Sequence, residues 1–358
     1  MDVESTVPNF DEAEIRPAVI DLLASAGLSG EFSLNPISGG RNNRVFRLQT
    51  RGRRLLLKWY FFHPRDKRDR LQTEFSFCQF LWSRGLRNLP QPIACLNEKQ
   101  IALYGYIEGR QLSADEIGQR HIDAALDFYH AINRHHADQD AVDLPDASEA
   151  CFRIEDHLDC VRQRLTRLEQ IDWQTESHCA AGDFVINNLL PLSLVVLERA
   201  KKQSLEWEME INAELEGDQR CLSPSDFGFH NALLDGNNNV FFVDFEYAGW
   251  DDPAKLICDF FCQPASSAPL EFLPEFSESV LASLSPQGCP NRRVQLLLPV
   301  YQLKWCCILL NEFLPTGAAR REFGRGVVDQ DVLESQIEKA RQLALNASSP
   351  MTEANWPN

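Results

Sequence analysis

The spacing of apolar residues changes along the chain from a strand-like to a helix-like pattern. Short apolar runs at 32–37, 45–48 and 55–60 are separated by turn-forming residues, which is typical of neighbouring β-strands. Before them, apolar residues recur at helical spacing over 13–27 and predict a short amphipathic helix. This order predicts a small sheet, preceded by one helix, at the start of the fold.

From Ser113 onward the apolar spacing is mostly helical. The helix-like stretches are 122–135, 155–168, 188–217, 296–313 and 327–345. The end of the chain from Asn346 is rich in Ser, Pro and Asn, and we expect it to be frayed. The second part of the chain is therefore predicted to be mainly helical.

A β-hairpin is predicted between these helical stretches. The apolar runs 232–234 and 240–245 flank five turn-forming residues, 235–239. With residues up to 239 as the loop, antiparallel counting sets Asn231 opposite Asp244, with β-carbons roughly 5 Å apart. We therefore expect an amide oxygen and a carboxylate to converge on one point.

These two oxygen-bearing side chains form a reasonable half-site for magnesium. Mg²⁺ takes oxygen ligands and often relies on one or two protein groups together with substrate phosphates. Asp226 lies five residues before Asn231, in a loop that contains Pro224 and Gly228, and adds a second carboxylate beside the predicted metal. A carboxylate beside a metal–phosphate pair is typical of phosphoryl transfer, where it orients the attacking hydroxyl and accepts its proton.

The motif around this hairpin resembles a known family. The pattern D-x-x-x-x-N, a hairpin, and then V-D-F-E-Y-A-G-W-D-D-P is similar to the catalytic core of the aminoglycoside phosphotransferase and choline kinase superfamily, small-molecule relatives of protein kinases. The resemblance covers about residues 32–310. It implies an α+β, bilobal protein-kinase-like fold, with a small N-terminal antiparallel sheet lobe containing one helix and a larger, mainly helical C-terminal lobe. We place the nucleotide-binding lobe at 1–108 and the catalytic and substrate-binding lobe at 109–358.

A lysine in a strand and a glutamate in a helix are predicted to pair. Lys58 lies in the apolar run 55–60, where it is either an outward-facing strand residue or the partner of a buried charge. Glu74 lies in the apolar stripe of a helix predicted over 65–84, where an unpaired carboxylate would cost several kcal/mol. The resemblance implies the strand-lysine to helix-glutamate pair that grips nucleotide phosphates in kinases. We therefore expect an ion pair within about 4 Å.

The resemblance also assigns roles to individual residues. It implies that Asp226 is the catalytic base, that Asn231 and Asp244 bind magnesium, and that Glu246 is a candidate for a second metal or substrate contact. For Asp226, Asn231 and Asp244 a purely structural role as turn formers is the alternative. The nucleotide-binding residues that it implies are Gly39, Gly40, Arg41, Asn42, Asn43, Lys58, Glu74, Tyr104, Gly105, Tyr106 and Ile107.

Two of the predicted nucleotide-binding segments, 39–43 and 104–107, also have a simpler interpretation. The glycine pair at 39–40 is also what an ordinary hairpin turn contains, and residues 104–107 also fit an edge strand followed by a turn. The resemblance implies instead that 39–43 cover the phosphates and that backbone groups of 105–107 bind the adenine.

The chain departs from the family pattern at two places. Many members have His two residues before the catalytic Asp, where this chain has Pro224. Many also have Asp where this chain has Leu256, and Asp259 either substitutes for it or caps a helix. Neither change removes a group that the chemistry needs.

Composition limits the partners and the compartment. The chain has 358 residues and a net charge of -17, which disfavours nonspecific binding to nucleic acid or to an anionic membrane. The eleven cysteines are scattered and fit reduced thiols of a cytoplasmic protein better than disulfides or zinc ligands. The N-terminus lacks the basic and apolar segments of a signal peptide, and the apolar runs 189–197 and 296–310 are short or interrupted, so no membrane span is expected.

These observations predict an ATP- and magnesium-dependent kinase that transfers the γ-phosphoryl group to a hydroxyl of a small molecule. The acceptor is a sugar, an amino alcohol or an aminoglycoside-like compound, and no motif chooses among them. Choline would need an aromatic cage, for which Trp207, Trp250 and Trp305 are available. The alternative is a catalytically silent, kinase-like nucleotide-binding protein that acts through protein partners. The sequence does not indicate the oligomeric state.

Overall fold

A computed structural model describes residues 12–37, 43–64, 66, 68–284, 290–315 and 330–349. The chain divides into two compact units. Among the described residues, the first unit contains 12–110 and 233–247, and the second contains 111–232, 248–315 and 330–349. The lobe boundary predicted after residue 108 stays a prediction.

The first unit contains an antiparallel sheet of five strands. The small antiparallel sheet that the sequence predicts is therefore present, with one strand more than the apolar runs indicate. The strands occur in the spatial order β1-β2-β3-β5-β4. Their bounds are β1 Phe32–Ile37, β2 Arg44–Thr50, β3 Arg53–Trp59, β4 Pro92–Leu96 and β5 Ile101–Gly105. Lys58 on the central strand β3 pairs with Val45 of β2 and Ala102 of β5, so its position in the sheet is fixed from both sides.

One face of this sheet carries a hydrophobic core. Alternate residues such as Phe46, Leu48 and Leu57 face helix α1 (Glu12–Ser25), which buries Val19 and Leu22 against them. Because successive strand residues point to opposite faces, Lys58 points away from this core.

Helix α2 (Arg70–Ser83) carries Glu74 and begins later than the sequence predicts. The predicted start at residue 65 was wrong, because the carboxylate of Asp69 accepts a hydrogen bond from the backbone N–H of Gln72 at 2.9 Å and caps the helix there. Glu74 is buried, as its place in the apolar stripe predicts.

The predicted hairpin is present, but its register differs. Strands β8 (Ala232–Leu234) and β9 (Val240–Phe242) form a small sheet with β6 (Arg110–Gln111), in the order β6-β8-β9. The backbone N–H of Asp235 donates to the carbonyl of Asn239 at 3.0 Å, so the turn closes on Asn239.

The predicted register closed the turn on Val240 and was therefore wrong by one residue. The carboxylate of Asp235 accepts from the backbone N–H groups of Asn237 and Asn239, both at 2.8 Å, and this local bonding selects the tighter turn. Strand pairing does not place Asp244 opposite Asn231, since β9 ends at Phe242 and Asp244 has a φ of 69°.

The second unit consists mainly of helices. Its elements are α3 Gln119–Asn133, α4 Ile154–Leu168, α5 Glu176–Phe184, α6 Leu190–Glu206, β7 Cys221–Ser223, β10 Gly249–Asp251, α7 Pro253–Cys262, α8 Leu273–Ala282, α9 Pro290–Leu310 and α10 Gln330–Ser348. The buried helix α9 packs against α4, α7 and α10. Strands β7 and β10 are antiparallel, with Ser223 opposite Gly249 and Cys221 opposite Asp251.

Two helical boundaries differ from prediction. The helix predicted within 188–217 ends at Glu206 and continues backward through a π-helical turn, Val185–Leu189, into α5. Helix α10 extends to Ser348, past the residue at which fraying was expected.

Two helical stretches, Glu176–Glu206 and Asn291–Phe313, are long and apolar enough to cross a membrane by length and composition alone. The second is mostly buried in the core, as central helices of soluble proteins also are. All ten cysteines in the described part of the chain are free thiols.

A buried asparagine anchors strand β7. The Asn133 amide group donates to the carbonyl of Leu222 at 3.0 Å, and its oxygen accepts from the N–H of Leu222 at 2.8 Å. Asn133→Leu leaves both buried backbone groups without a partner, so we expect the free energy of unfolding to fall by about 2–4 kcal/mol. Chemical denaturation measures this loss.

Asn346→Leu, on an exposed position of α10, is the matched control and should change the unfolding free energy by less than about 0.5 kcal/mol. Equal effects of the two substitutions would show that the Asn133 contacts do not stabilise β7.

Candidate active site

The first unit contains a buried cation that contacts two carboxylates. The Lys58 ammonium group is 2.6 Å from Glu74 Oε2 and also contacts Asp244 Oδ1. The hydroxyl of Tyr60 donates to the same Glu74 oxygen at 2.7 Å and lies 2.9 Å from the hydroxyl of Tyr104. The predicted ion pair between Lys58 and Glu74 is confirmed.

The electrostatics of this cluster keep Lys58 charged. Burial alone would lower the pKa of Lys58, but Asp244 and Glu74 outweigh it and raise that pKa well above its ordinary value. Burial and the negative charge of Glu74 raise the pKa of Tyr60, so this hydroxyl remains a neutral hydrogen-bond donor.

Asp244 fits the requirements of a magnesium ligand. Desolvation is the main cause that raises the pKa of Asp244 to about 7, and the charges of Glu246 and Glu74 add to it, while Lys58 opposes the shift. The Asp244 side chain is 40% exposed, so a ligand can still reach it. A further cation at this carboxylate would reduce the repulsion among the acidic groups, and carboxylate oxygens suit the hard Mg²⁺ ion. The described residues contain no group of three or more His, Cys, Asp and Glu side chains arranged to hold a metal.

Glu246 is engaged with other residues. Its side chain is 1% exposed, accepts a hydrogen bond from the Asn43 amide and lies 3.9 Å from Arg70 Nε. The Asn43 oxygen accepts from the backbone N–H of Phe61 at 3.2 Å. Glu246 thus fixes the side chain of Asn43, and a direct metal contact would require it to exchange these partners. Gly39, Gly40, Arg41 and Asn42 lie outside the described residues.

In the segment 104–107, which is predicted to bind the adenine, two residues already have partners within the fold. The side chain of Tyr104 is buried against Tyr60, and the N–H of Gly105 donates to the carbonyl of Gln91 at 2.8 Å. Backbone contacts to adenine from this segment stay a prediction, and they would fall on the Gly105 carbonyl and on Tyr106 and Ile107.

In the second unit, Asp226 follows β7 and each of its carboxylate oxygens has a polar neighbour. His230 Nε2 lies 3.1 Å from Asp226 Oδ1. The Asn231 amide nitrogen donates to the Asp226 carbonyl at 3.0 Å and to Asp226 Oδ2 at 3.3 Å. The Asp226 side chain remains 34% exposed, so it is oriented and still accessible.

Two phenylalanines that follow Asp226 anchor the loop. Phe227 and Phe229 pack on Phe260 of α7, with ring centroids 5.2 and 5.3 Å apart. Gly228 makes room for the His230 ring, since a β-carbon there would lie 2.8 Å from His230 Nδ1. This packing turns Asp226 away from the core.

The structure thus brings Lys58, Glu74 and Asp244 together in one unit, and Asp226 and Asn231 together in the other. Sequence reasoning missed His230, although its place directly before Asn231 and four residues after Asp226 was a usable signal. It also passed over Lys255, whose place in the apolar run after Pro253 resembles that of Lys58.

A family model described as the phosphotransferase enzyme family matches residues 33–287. The chain belongs to this family. This phosphotransferase is a small-molecule kinase with a hydroxyl group as acceptor, as the sequence resemblance implies. None of the curated proteins compared matches the chain significantly.

Solved structures share the fold of this phosphotransferase. Spectinomycin phosphotransferase in complex with ADP and spectinomycin is 13% identical, with a TM-score of 0.59 over 90% of this chain and 98% of the other. Choline kinase from Cryptosporidium parvum Iowa II is 14% identical, with a TM-score of 0.57 over 97% and 100%. Plasmodium vivax ethanolamine kinase is 12% identical, with a TM-score of 0.57 over 98% and 92%. The predicted α+β, protein-kinase-like fold is confirmed.

The Lys58 cluster generates a stability prediction. Lys58→Met leaves Glu74 buried without its cation, so we expect the free energy of unfolding to fall by about 3–5 kcal/mol. Lys202→Met removes a lysine whose side chain is 78% exposed, so it should change the free energy of unfolding by less than about 0.5 kcal/mol.

Both variants are compared by chemical denaturation, and Glu74→Gln added to Lys58→Met should recover part of the loss. A loss below about 1 kcal/mol in the single variant would mean that the pair contributes little to the fold.

Proposed function

We propose that the chain transfers the γ-phosphoryl group of ATP, with magnesium, to a hydroxyl of a small molecule. The observation that carries this proposal is the buried Lys58 ammonium group, which contacts both Glu74 of α2 and Asp244. A lysine fixed in this way offers a positive charge of constant position to phosphate oxygens. Asn43, the last of the residues 39–43 that are proposed to cover the phosphates, is held by its hydrogen bond to Glu246.

Asp226 is proposed to orient the acceptor hydroxyl and to accept its proton. Its carboxylate is fixed on one side by His230 and on the other by Asn231, which limits its rotation. A base that is already held in position loses less conformational entropy when the hydroxyl binds.

Asn231 and Asp244 are the proposed magnesium ligands. Because the Asn231 nitrogen donates to Asp226, the amide oxygen is the atom left to act as a ligand. When bound, magnesium would neutralise charge on the phosphate oxygens. The protein's own contribution is to fix the oxygen donors and the Lys58 charge.

The proposed acceptor is a sugar, an amino alcohol or an aminoglycoside-like compound. Structural neighbours include a complex with spectinomycin and kinases for choline and ethanolamine. The three tryptophans considered for a choline cage each have another partner. The Trp305 indole donates to Asp259, the Trp250 indole donates to the Ala141 carbonyl, and Arg292 lies over the Trp207 ring. These contacts give each of the three rings a role within the fold, and the acceptor class is chosen by the screen that follows.

Magnesium-dependent ADP release in the presence of a library of sugars, amino alcohols and aminoglycosides tests this function. Acceptor-stimulated release by the wild-type protein supports it. Tight nucleotide binding without any turnover, with or without acceptors, would instead support the catalytically silent alternative.

The role of Asp226 generates a kinetic prediction. Asp226→Asn keeps the shape of the side chain and removes the proton acceptor, so turnover should fall by about 10² to 10⁴. ATP–magnesium affinity should stay within about threefold of wild type, because the residue acts on the acceptor. Steady-state kinetics and calorimetric nucleotide titration measure the two effects. Equal losses in affinity and rate would make Asp226 a metal ligand or a structural residue.

The role of Asp244 generates a prediction on metal binding. Asp244→Ala removes the charged protein ligand, so magnesium should no longer strengthen nucleotide binding in the folded variant. Glu98→Ala, at an exposed position after β4, should leave that enhancement unchanged. Titration of nucleotide at several magnesium concentrations compares them, and an unchanged metal dependence in the Asp244 variant would refute the assignment.

A further inference from the structure

Lys255 of helix α7 is a buried lysine beside the loop of residues 224–231, the catalytic loop of the proposed function, which carries Asp226. It is 1% exposed, and its ammonium group lies 2.5 Å from Asp251 Oδ2 and 3.7 Å from Asp259 Oδ2. The same group donates to the hydroxyl of Ser225 at 3.4 Å. Ser225 directly precedes Asp226, so this lysine is one residue away from the proposed base.

The charge of Lys255 is compensated within the core. Burial alone would lower the pKa of Lys255, but Asp251 and Asp259 raise it above its ordinary value, so the group remains an ammonium ion. Asp251 lies on β10, opposite Cys221 of β7. Its second carboxylate oxygen accepts from the backbone N–H of Asp252 at 3.0 Å. Lys255 is therefore held at a fixed distance from the strand that leads into the catalytic loop.

Ser225 needs such support because its backbone is strained. Its φ is 66°, in the left-handed region that residues with a side chain rarely adopt. Its N–H donates to the Ser223 hydroxyl at 2.9 Å, and the Asp226 N–H donates to the Pro224 carbonyl at 2.9 Å. Pro224 stands where many family members have a histidine, so the loop is braced here by other groups.

We propose that Lys255 is a positioning residue that holds Ser225 in its strained conformation and thereby aims the Asp226 carboxylate. The proposal rests on the function proposed for Asp226. Lys255 reaches the loop through the Ser225 hydroxyl and needs no contact with the substrate. Its ion pair with Asp251 makes α7 and β10 the fixed support for the loop.

Lys304 offers a matched comparison. It is also a buried lysine of the second unit, and it pairs with Asp259 at 2.9 Å. The contacts described for Lys304 do not include Ser225 or Asp226. Lys304→Met therefore imposes a similar loss of buried charge without removing the loop contact.

The experiment compares Lys255→Met with Lys304→Met in the full-length protein. For Lys255→Met we expect kcat of magnesium-dependent ATP turnover to fall about 10- to 100-fold, with nucleotide Kd within about threefold of wild type. The backbone amides of 225–231 should exchange with deuterium at least about tenfold faster than in the Lys304 variant. Lys304→Met should keep kcat within about threefold of wild type.

Ser225→Ala covers the case in which Lys255→Met does not fold, because it leaves the Lys255–Asp251 ion pair intact. It removes only the hydroxyl contact, so kcat should fall about 3- to 10-fold with nucleotide Kd unchanged. Equal kcat and equal loop exchange in the two lysine variants, or an unchanged kcat in Ser225→Ala, would overturn the proposal. A wild-type protein that binds ATP without turnover would refute the proposed function. The deuterium exchange of the amides of 225–231 in the two lysine variants would still test whether Lys255 holds the loop.

Discussion

A lysine ammonium group buried in the sheet of the first unit constrains the residues around it. Removing such a group from water costs several kcal/mol unless opposite charges compensate it. Glu74 from α2 and Asp244 from the segment after β9 supply these charges. Because Lys58 lies on a central strand, both carboxylates must reach one fixed point. The ion pairs therefore decide where α2 and the Asp244 segment lie against the sheet, and they hold the charge cluster in place before any ligand binds.

The segment around Asp244 shows how the fold offsets local strain. A non-glycine residue with a φ of 69° costs about 1–3 kcal/mol, and it persists only where its surroundings determine it. Three consecutive residues make three different contacts there. Asp244 enters the ion pair, Phe245 packs on Phe77 with ring centroids 5.6 Å apart, and Glu246 accepts from Asn43. The strained loop after β7 follows the same rule in the second unit.

Local patterns predicted most elements, and the errors have identifiable causes. Strand β4 was not predicted; it begins at Pro92 and is an edge strand, where a missing N–H group is tolerated. The hairpin register was wrong because the Asp235 carboxylate bonds its own turn and selects a shorter loop. His230 and Lys255 were missed although their places in the sequence offered a signal, because their importance depends on contacts with Asp226 and Ser225 that only the fold creates.

The sequence by itself determined the fold class, the family and the pairing of Lys58 with Glu74. The fold class and the family follow from the resemblance of the motifs around Asp226 and Asp244 to a known family. The pairing follows from that resemblance together with the cost of burying an unpaired carboxylate. Only the tertiary structure decided that Asp244 completes the Lys58 cluster, across 186 positions of sequence, and that Glu246 binds Asn43. Periodicity fixes which residues share one face of an element. It does not encode which faces meet, because that choice is made by the packing of the whole chain.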